Sequence, residues 1–467
     1  MKLARVVTVI PVIAAFGWGC TQETAGPRGI EASLSAPTDF IYPKNPPRAQ
    51  VDPGTVVPNA VPFCTTRGRP IVCYSPNFIQ TAYDFPTTLD GTGQTILIVD
   101  AFGSPTIAND LAVFDNTFGI PAPPSFTVLC PDGGCPAFAP RNTFHDEVGW
   151  SIETSLDVEW AHAMAPGANI VLVVAATSSG NAINVAEAAA IAKYPGSIMS
   201  QSFGIPEILV HDNNAQIMQA HTNYLAAQAA HITVLASAGD FGATNGFGTA
   251  NALFPSSDPL VTAVGGTQGN PYMFPADPTM PTGLATFTGT CSPGPRPGFP
   301  SGCTPTGYGA EQVWNEPAFG IATGGAPSLL FSSVPAFQSG LGLSARTTPD
   351  VSYNAAVNGG VLVYWTALGT PIWFIVGGTS AGSPQWASIF ALVNQCRANH
   401  GSGSLGFANP AIYGLGGAGF HDITVGNNQL VRTTVGFPAG TGWDDASGWG
   451  TPDVANLVPD LATTSCS

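Results

Sequence analysis

Ser380 stands in the run GGTSAGSP, residues 377–384, directly before a helix-like segment at 385–394. Small residues on both sides of the serine let the backbone turn tightly and let a substrate carbonyl approach the hydroxyl. A helix N-terminus also favours the negative charge that develops during acyl transfer. These features suit a nucleophilic serine, but a serine that caps a helix after a glycine turn has the same pattern. The motif alone leaves both interpretations open.

A nucleophilic serine needs a base, and two carboxylates in the segment 153–164 are candidates. Glu153 and Asp157 are four residues apart in this helix-like segment, so they lie one turn apart on one face. Like charges held that close disfavour simultaneous ionisation, so such a pair can share a proton and act as a general base in acid. An exposed acidic helix face is the alternative, and it stays open although apolar residues are interleaved with the acids, namely Leu156, Val158 and Trp160.

A third carboxylate, Asp240, lies in the run SAGDFG just after a β-branched segment at 232–237. The carboxyl ends of parallel strands are where open α/β sheets place their sites. A protonated carboxylic acid there could donate a hydrogen bond to an oxyanion, whereas an ionised one would repel it. The alternative is an aspartate that only braces a glycine turn, which is the ordinary explanation of such a motif when it stands alone.

Short β-branched runs alternate with helix-like stretches from Gln94 onward, a pattern typical of a parallel sheet covered on both faces. The predicted strands are residues 95–99, 170–174, 197–202, 232–237 and 260–264. The predicted helices between them include 182–192 and 213–230. Segments rich in Gly and Pro at 268–310 and 401–419 are expected to be surface excursions that carry turns.

Charged residues make up only 9% of the 467-residue chain, and the 29 acidic residues outnumber the 13 basic ones. A surface with this balance repels nucleic acid, so we exclude nucleic acid as a partner. An apolar content of 44% argues against general disorder, and the length suffices to bury one large core. We expect a monomer.

The first 20 residues have the features of an export signal. Lys2 and Arg5 precede an apolar run at 6–16, which small residues follow, and this run is too short to span a membrane. We therefore expect a secreted protein without a membrane span. Cys20 leaves a lipid anchor open as an alternative, although the residues before it fit the usual lipoprotein pattern poorly. Residues 21–69, rich in Pro, Ala and Thr, are predicted to be an extended leader.

Eight cysteines remain beside Cys20, an even number that predicts disulfides in an exported chain. Pairing of nearest neighbours would join Cys64 to Cys73, Cys130 to Cys135, Cys291 to Cys303, and Cys396 to Cys466. The sequence does not prove that connectivity. A metal cluster is the alternative, but the chain has no C-x-x-C pair to support one.

Taken together and in order, the three carboxylate and serine motifs resemble the sedolisin family, the serine-carboxyl peptidases. Connecting motifs agree with this resemblance, among them GQT at 93–95, GGAPS at 324–328 and RTTPDVS at 346–352. The resemblance covers about residues 75 to 460. It implies a subtilisin-like three-layer α/β fold, with a central, mostly parallel sheet and helices on both faces, for a peptidase domain at 70–467.

The resemblance also implies a role for each candidate residue. Ser380 would attack the peptide carbonyl, Glu153 would accept its proton, and Asp157 would orient Glu153. Asp240 would stabilise the oxyanion together with the backbone N–H of Ser380. An acyl-enzyme would form on Ser380 and be hydrolysed by water, with a peptide or protein as the substrate and with activity favoured at acidic pH.

The C-terminal segments 422–423 and 440–444 resemble the family's calcium site. One structural Ca²⁺ would take two carboxylates and three backbone carbonyls as protein ligands, and water would complete its shell. The ligands implied are Asp422, Ile423, Gly440, Gly442 and Asp444. A turn-rich tail with two solvated aspartates is the alternative.

One departure from the family and two alternative functions remain. Family members usually carry a large N-terminal prodomain, and residues 21–69 are too few for one. A subtilisin-type Ser/His/Asp peptidase would need a histidine in a glycine-flanked setting, and none of the seven histidines, not even His162 on the acidic helix, has it. A non-catalytic, exported calcium-binding protein on the same scaffold is the other alternative.

Overall fold

The computed structural model describes residues 46–54, 63–131, 133–140, 147–210, 214–269, 287–296 and 299–466. All of them belong to the unit Asp39–Ser467. The predicted signal peptide, Cys20 and the first part of the predicted leader lie outside the described residues. Within the described ranges, no helix combines the length and the apolar character that crossing a lipid bilayer requires.

The strands are β1 (Arg48–Gln50), β2 (Phe63–Thr66), β3 (Arg69–Tyr74), β4 (Thr95–Ala101), β5 (Phe126–Leu129), β6 (Asn169–Ala175), β7 (Ile198–Gln201), β8 (Ile205–Pro206), β9 (Thr233–Ser237), β10 (Leu253–Phe254), β11 (Thr262–Gln268), β12 (Phe287–Arg296), β13 (Phe299–Tyr308), β14 (Gln312–Val313), β15 (Asn315–Glu316), β16 (Ile321–Ala322), β17 (Val351–Asn354), β18 (Gly360–Trp365), β19 (Ile372–Val376), β20 (Phe420–His421) and β21 (Thr451–Pro452). The α-helices are α1 (Pro76–Ala82), α2 (Ile107–Phe118), α3 (Glu147–Met164), α4 (Gly180–Lys193), α5 (Ala215–Ala229), α6 (Gly382–Asn399), α7 (Asn409–Gly414) and α8 (Val454–Ala462).

The central sheet has the strand order β14-β11-β9-β7-β4-β6-β5, and β17 also pairs with β11. All of its neighbouring strands are parallel except β14, which runs antiparallel to β11. Five of these strands, β4, β6, β7, β9 and β11, correspond to the five strands predicted from the sequence. The prediction of a central, mostly parallel sheet is therefore confirmed.

Helices cover both faces of this sheet. In β4, Ile96 and Ile98 belong to the core cluster that includes residues of α3 and α6, whereas Leu97 and Val99 belong to the cluster that includes residues of α4 and α5. Burial on both faces explains why residues 96–99 of β4 are all apolar and do not alternate with polar ones. The three layers match the subtilisin-like fold that the resemblance implies.

A second sheet of five strands, in the order β1-β19-β18-β3-β2, lies outside the predicted alternation. Two of its strands, β1 and β2, fall within residues 21–69, which the sequence analysis assigns to an extended leader. Both are short, so local periodicity does not reveal them: β2 pairs with the adjacent β3, and β1 gains its partner, β19, from far along the chain. The division of the chain at residue 69 stays a prediction.

The segment 268–310, predicted to be a surface excursion with turns, contains the antiparallel pair β12 and β13. Gly and Pro have low strand propensities, so the composition of this segment does not predict strands. Pairing between β12 and β13 accounts for the extended backbone instead. Turns alone are thus the wrong description of this segment.

Three of the predicted disulfides are present, Cys64–Cys73, Cys130–Cys135 and Cys396–Cys466. They confirm the pairing of nearest neighbours for these six cysteines. The predicted partner of Cys303, Cys291, lies outside the residues whose side chains the structure describes. The last bond ties α6 to the C-terminal end of the chain.

Candidate active site

The loop between β19 and α6 carries Ser380. Gly377 and Gly378 follow β19, and a 3-10 turn, Thr379–Ala381, leads directly into α6. Gly378 has a φ of 93°, a conformation that only glycine adopts without strain, and a Cβ atom there would lie 2.7 Å from Asp240 Oδ2. The glycine therefore permits both the turn and the close approach of a carboxylate.

Ser380 is the middle residue of this turn and is buried, with 1% of its surface exposed. Its Oγ donates to the carbonyl of Ser202, 3.4 Å away, and Ser202 Oγ donates to the Ser380 carbonyl at 3.2 Å. Ser202 directly follows β7, so the carboxyl end of that strand meets the serine turn. Ser202 is not among the predicted site residues, although its place at the end of the predicted strand 197–202 was a usable signal.

Asp240 binds the residue that precedes the serine. Its Oδ1 accepts hydrogen bonds from the N–H of Thr379 at 2.8 Å and from Thr379 Oγ1 at 2.9 Å. Thr379 Oγ1 in turn accepts from the N–H of Gly239 at 3.0 Å. The Asp240 carboxylate thus links the end of β9 to a loop 139 residues later in the chain. An aspartate that only braced its own glycine turn would not make this contact.

Glu153 and Asp157 lie on α3, and each side chain is fully buried. The exposed acidic face considered for this helix is therefore wrong. Helix α3 packs against α6 and against the 3-10 turn that carries Ser380. Both α3, which carries the two carboxylates, and Asp240 therefore contact the same turn, while the catalytic roles themselves stay predictions.

A further buried acid on α3, Glu159, has a different environment. Its Oε2 accepts a hydrogen bond from the N–H of Tyr364 in β18 at 3.0 Å. Burial raises the pKa of Glu159 well above its usual range, the N–H of Tyr364 opposes this, and the nearby Asp110 and Asp115 add to it. A carboxyl with these neighbours stays protonated in acid, so it provides an internal comparison for Glu153.

Several histidines are engaged elsewhere. His162 Nε2 lies 2.9 Å from the Pro121 carbonyl, and His421 stacks on Tyr308 with ring centroids 3.5 Å apart. His221 Nδ1 lies 2.7 Å from Asp258 Oδ2, and this hydrogen bond raises the pKa of His221 despite its partial burial. These contacts do not favour a Ser/His/Asp arrangement.

The two C-terminal aspartates predicted to bind calcium converge on the segment 440–442. Asp422 Oδ2 accepts from the N–H of Gly442 at 3.0 Å, and Asp444 Oδ2 accepts from the N–H of Gly440 at 2.8 Å. Burial raises the pKa of Asp444 against the opposing effect of its hydrogen bonds, which include one from the N–H of Ser447.

The donor atoms around these aspartates are compatible with a hard cation. Within the described residues, no hydrogen bond ends on the carbonyl oxygens of Ile423, Gly440 or Gly442. Two carboxylates with nearby carbonyls of this kind form an oxygen-only donor set, which suits Ca²⁺. The described part of the chain contains no group of three or more His, Cys, Asp or Glu side chains placed to hold a metal, so any cation here would depend on the backbone carbonyls.

The sequence of the chain is similar to those of known peptidases. No protein-family model matches the chain. It is 33% identical to kumamolisin of Bacillus sp. (strain MN-32) over 402 residues, which are 83% of this chain and 63% of that protein. It is 31% identical to tripeptidyl-peptidase 1 of Rattus norvegicus over 258 residues, 53% of this chain and 40% of that protein. The chain thus spans less than two thirds of the length of either relative.

One solved structure aligns over most of this chain. It is Pseudomonas sedolisin, a serine-carboxyl proteinase complexed with two molecules of pseudo-iodotyrostatin. The match has a TM-score of 0.66 at 25% identity, and it covers 84% of this chain and 99% of the other.

Proposed function

The chain belongs to the sedolisin family, and from this premise we propose that it is a serine-carboxyl peptidase that hydrolyses peptide bonds through Ser380. The observation that carries the proposal is the position of Asp240, whose Oδ1 binds both the N–H and the Oγ1 of Thr379. A carboxyl group fixed beside the serine turn is where charge stabilisation would be needed during acyl transfer.

The proposed reaction begins with attack of Ser380 Oγ on the substrate carbonyl carbon. The hydroxyl proton passes to Glu153, which Asp157 orients one helical turn away. A protonated Asp240 and the Ser380 N–H hold the oxyanion of the tetrahedral intermediate. Collapse of the intermediate breaks the peptide bond, and the amine leaves with the proton from Glu153.

The resulting acyl-enzyme is hydrolysed by water, whose proton passes to Glu153 in a second round of the same steps. Two roles require a protonated carboxyl group, the sharing of one proton by Glu153 and Asp157 and the hydrogen bond donated by Asp240. Activity should therefore be highest at acidic pH. The burial of Glu153 and Asp157 supports this, because a buried carboxylate pair resists double ionisation.

We also propose that Asp422 and Asp444, with the carbonyls of Ile423, Gly440 and Gly442, hold one structural Ca²⁺. Bound there, the cation would neutralise the two aspartates and rigidify the loop. This loop region is linked to the nucleophile helix through Ser352. Its Oγ donates to the Ser447 carbonyl at 2.9 Å, and its own carbonyl accepts from Trp386 Nε1 of α6 at 3.0 Å.

The proposed setting is outside the cell. The export signal predicted at residues 1–20 and the three disulfides support secretion, since disulfides persist in oxidising compartments. The substrate would be a peptide or protein, and the enzyme would act as a monomer.

The proposal is tested by incubating purified protein with denatured casein between pH 3 and pH 7, beside a Ser380→Ala variant. We expect cleavage by the wild type only, strongest at the acid end of this range. Equal cleavage by both proteins would point to a contaminating peptidase. A folded wild type that binds Ca²⁺ but leaves casein intact would favour the non-catalytic alternative.

The choice of base is tested by a matched pair of substitutions on α3. Glu153→Gln should lower kcat by at least about 10²-fold, the usual contribution of a positioned base. Glu159→Gln should leave kcat near the wild-type value, because Gln resembles the protonated carboxyl that burial favours there. Loss of activity in a folded His162→Gln variant, with Glu153→Gln still active, would instead support the Ser/His/Asp alternative.

A further inference from the structure

Strand β1 runs beside β19, the strand that leads into the serine loop. The two pair antiparallel, with Arg48 opposite Val376, Ala49 opposite Ile375 and Gln50 opposite Phe374. On its other side, β19 pairs with β18. Strand β1 therefore forms the edge of this sheet, and without it β19 would be the edge strand.

The pairing continues past β19 into the serine loop itself. The N–H of Gly377 donates to the carbonyl of Pro47 at 2.9 Å. A Cβ atom at Gly378 would lie 3.2 Å from Pro47 Cδ and 2.7 Å from Asp240 Oδ2. Residues from the N-terminal strand, the serine loop and the Asp240 turn thus meet at one glycine.

The strand is anchored at its far end. The N–H of Val51 donates to the Trp373 carbonyl at 2.9 Å. The carboxylate of Asp52 accepts from the N–H groups of Arg67 and Gly68 at 2.8 and 2.7 Å. These contacts place residues 46–52 in a defined position on the sheet.

We propose that residues 46–52, called the strap below, position the catalytic serine loop, and this inference rests on the proposed peptidase function. Two consecutive glycines have many accessible backbone conformations, so Gly377 and Gly378 need external contacts to stay in one of them. The strap supplies a hydrogen-bond acceptor at Gly377 and a rigid proline ring at Gly378. It thereby holds the N–H of Thr379 toward Asp240 and sets the position of Ser380.

The strap is a positioning element and not an inhibitor, and the two roles predict effects of opposite sign. A segment that only blocks the site would increase activity when it is loosened. A segment that positions the loop lowers kcat when it is loosened, because a displacement of about 1 Å in the reacting groups can cost about 10²-fold in rate.

The test uses two proline substitutions in the full-length chain. Pro47 forms a hydrogen-bonded pair with Gly377, and Val51 forms one with Trp373. Hydrogen-bonded pairs occur at every second residue of an antiparallel ladder, so the Ala49 N–H points toward β19 and the Gln50 N–H points away from it. Ala49→Pro removes a ladder bond, whereas Gln50→Pro, the matched control, leaves the ladder intact.

For Ala49→Pro we expect kcat on casein-derived peptides to fall by about 10²-fold, with KM within about twofold of the wild type. Gln50→Pro should retain wild-type kcat. Hydrogen exchange followed by mass spectrometry should show faster exchange at 377–380 in Ala49→Pro, because the Gly377 amide loses a fixed acceptor. Equal kcat in the two proline variants, or a higher kcat in Ala49→Pro, overturns the inference.

A milder variant covers the case in which Ala49→Pro fails to fold. Pro47→Ala keeps the carbonyl that Gly377 binds and removes the ring that faces Gly378. We expect kcat to fall several-fold with an unchanged melting temperature, and an unchanged kcat overturns the inference. If the wild type cleaves no peptide, the proposed function fails, and unchanged hydrogen exchange at Gly377 in a folded Ala49→Pro variant separately refutes the strap.

Discussion

Glu187 should make the fold more stable in acid than at neutral pH. It lies on α4, 1% exposed, where its Oε1 accepts from Gln201 Nε2 at 2.6 Å and from the Tyr224 hydroxyl at 3.1 Å, and its Oε2 accepts from Asn223 Nδ2 at 3.1 Å. Burial raises the pKa of Glu187 from 4.5 to about 7, although these three donors oppose the rise.

The sign of the effect follows from the raised pKa. Near pH 4 the carboxyl is largely protonated in both states, so its contribution to stability is present. As the pH rises through about 7, the unfolded chain has already released its proton and the folded chain must ionise a buried group. The difference between the two pKa values corresponds to roughly 3 kcal/mol of unfolding free energy lost between pH 4 and pH 8.

The test compares Glu187→Gln with the wild type in urea denaturation at several pH values. The side-chain NH₂ of the glutamine would face the donor Asn223 Nδ2, which costs about 1–3 kcal/mol relative to a protonated Glu187, and this cost does not change with pH. The informative quantity is therefore the slope of stability against pH. The wild type should lose roughly 3 kcal/mol more than the variant between pH 4 and pH 8.

A control of opposite sign is Asp90→Asn. Partial burial acts to raise the pKa of Asp90, but hydrogen bonds from Thr92 and Gln395 together outweigh it and lower the pKa, so its contribution to stability is present above about pH 4 and is lost as the pH falls below that. Parallel slopes for the wild type and Glu187→Gln, with the expected acid-side change in Asp90→Asn, would refute the reasoning for Glu187.

Three further predictions concern other parts of the molecule. Asp350→Ala should lower the free energy of unfolding, measured by urea denaturation, by about 3–5 kcal/mol, because it leaves the fully buried Arg346 without a carboxylate partner. In the wild type, Asp350 binds Arg346 through two contacts of 2.6 Å. A small loss of stability would show that the ion pair is replaceable. Gly378→Ala should lower kcat at least about 10²-fold, since its methyl group would lie 2.7 Å from Asp240 Oδ2, and the strained φ of 93° should also lower the melting temperature. A calcium chelator should lower the melting temperature of the wild type but not that of Asp444→Ala, and equal shifts in both would argue against a cation at this loop.

The predictable part of the molecule consists of features that neighbouring residues encode. Residues 96–99 are all apolar because their strand is buried on both faces, so composition alone indicated a strand of a parallel sheet. The spacing of Glu153 and Asp157 indicated one helix face, and nearest-neighbour cysteines indicated three disulfides. Glycines around Ser380 marked a tight turn before a helix.

Other features depend on residues that are distant in the sequence. The burial of α3, the bond from Thr379 to Asp240 and the contact of Ser202 with Ser380 each arise where separate elements pack together. The pairing of β1 with β19 joins residues more than 300 positions apart, and neither strand has a periodicity that identifies its partner. The local sequence determined which backbone conformations and which chemical groups were available. Only the tertiary structure decided which groups meet, because that choice depends on the summed packing of the whole core and not on any one segment.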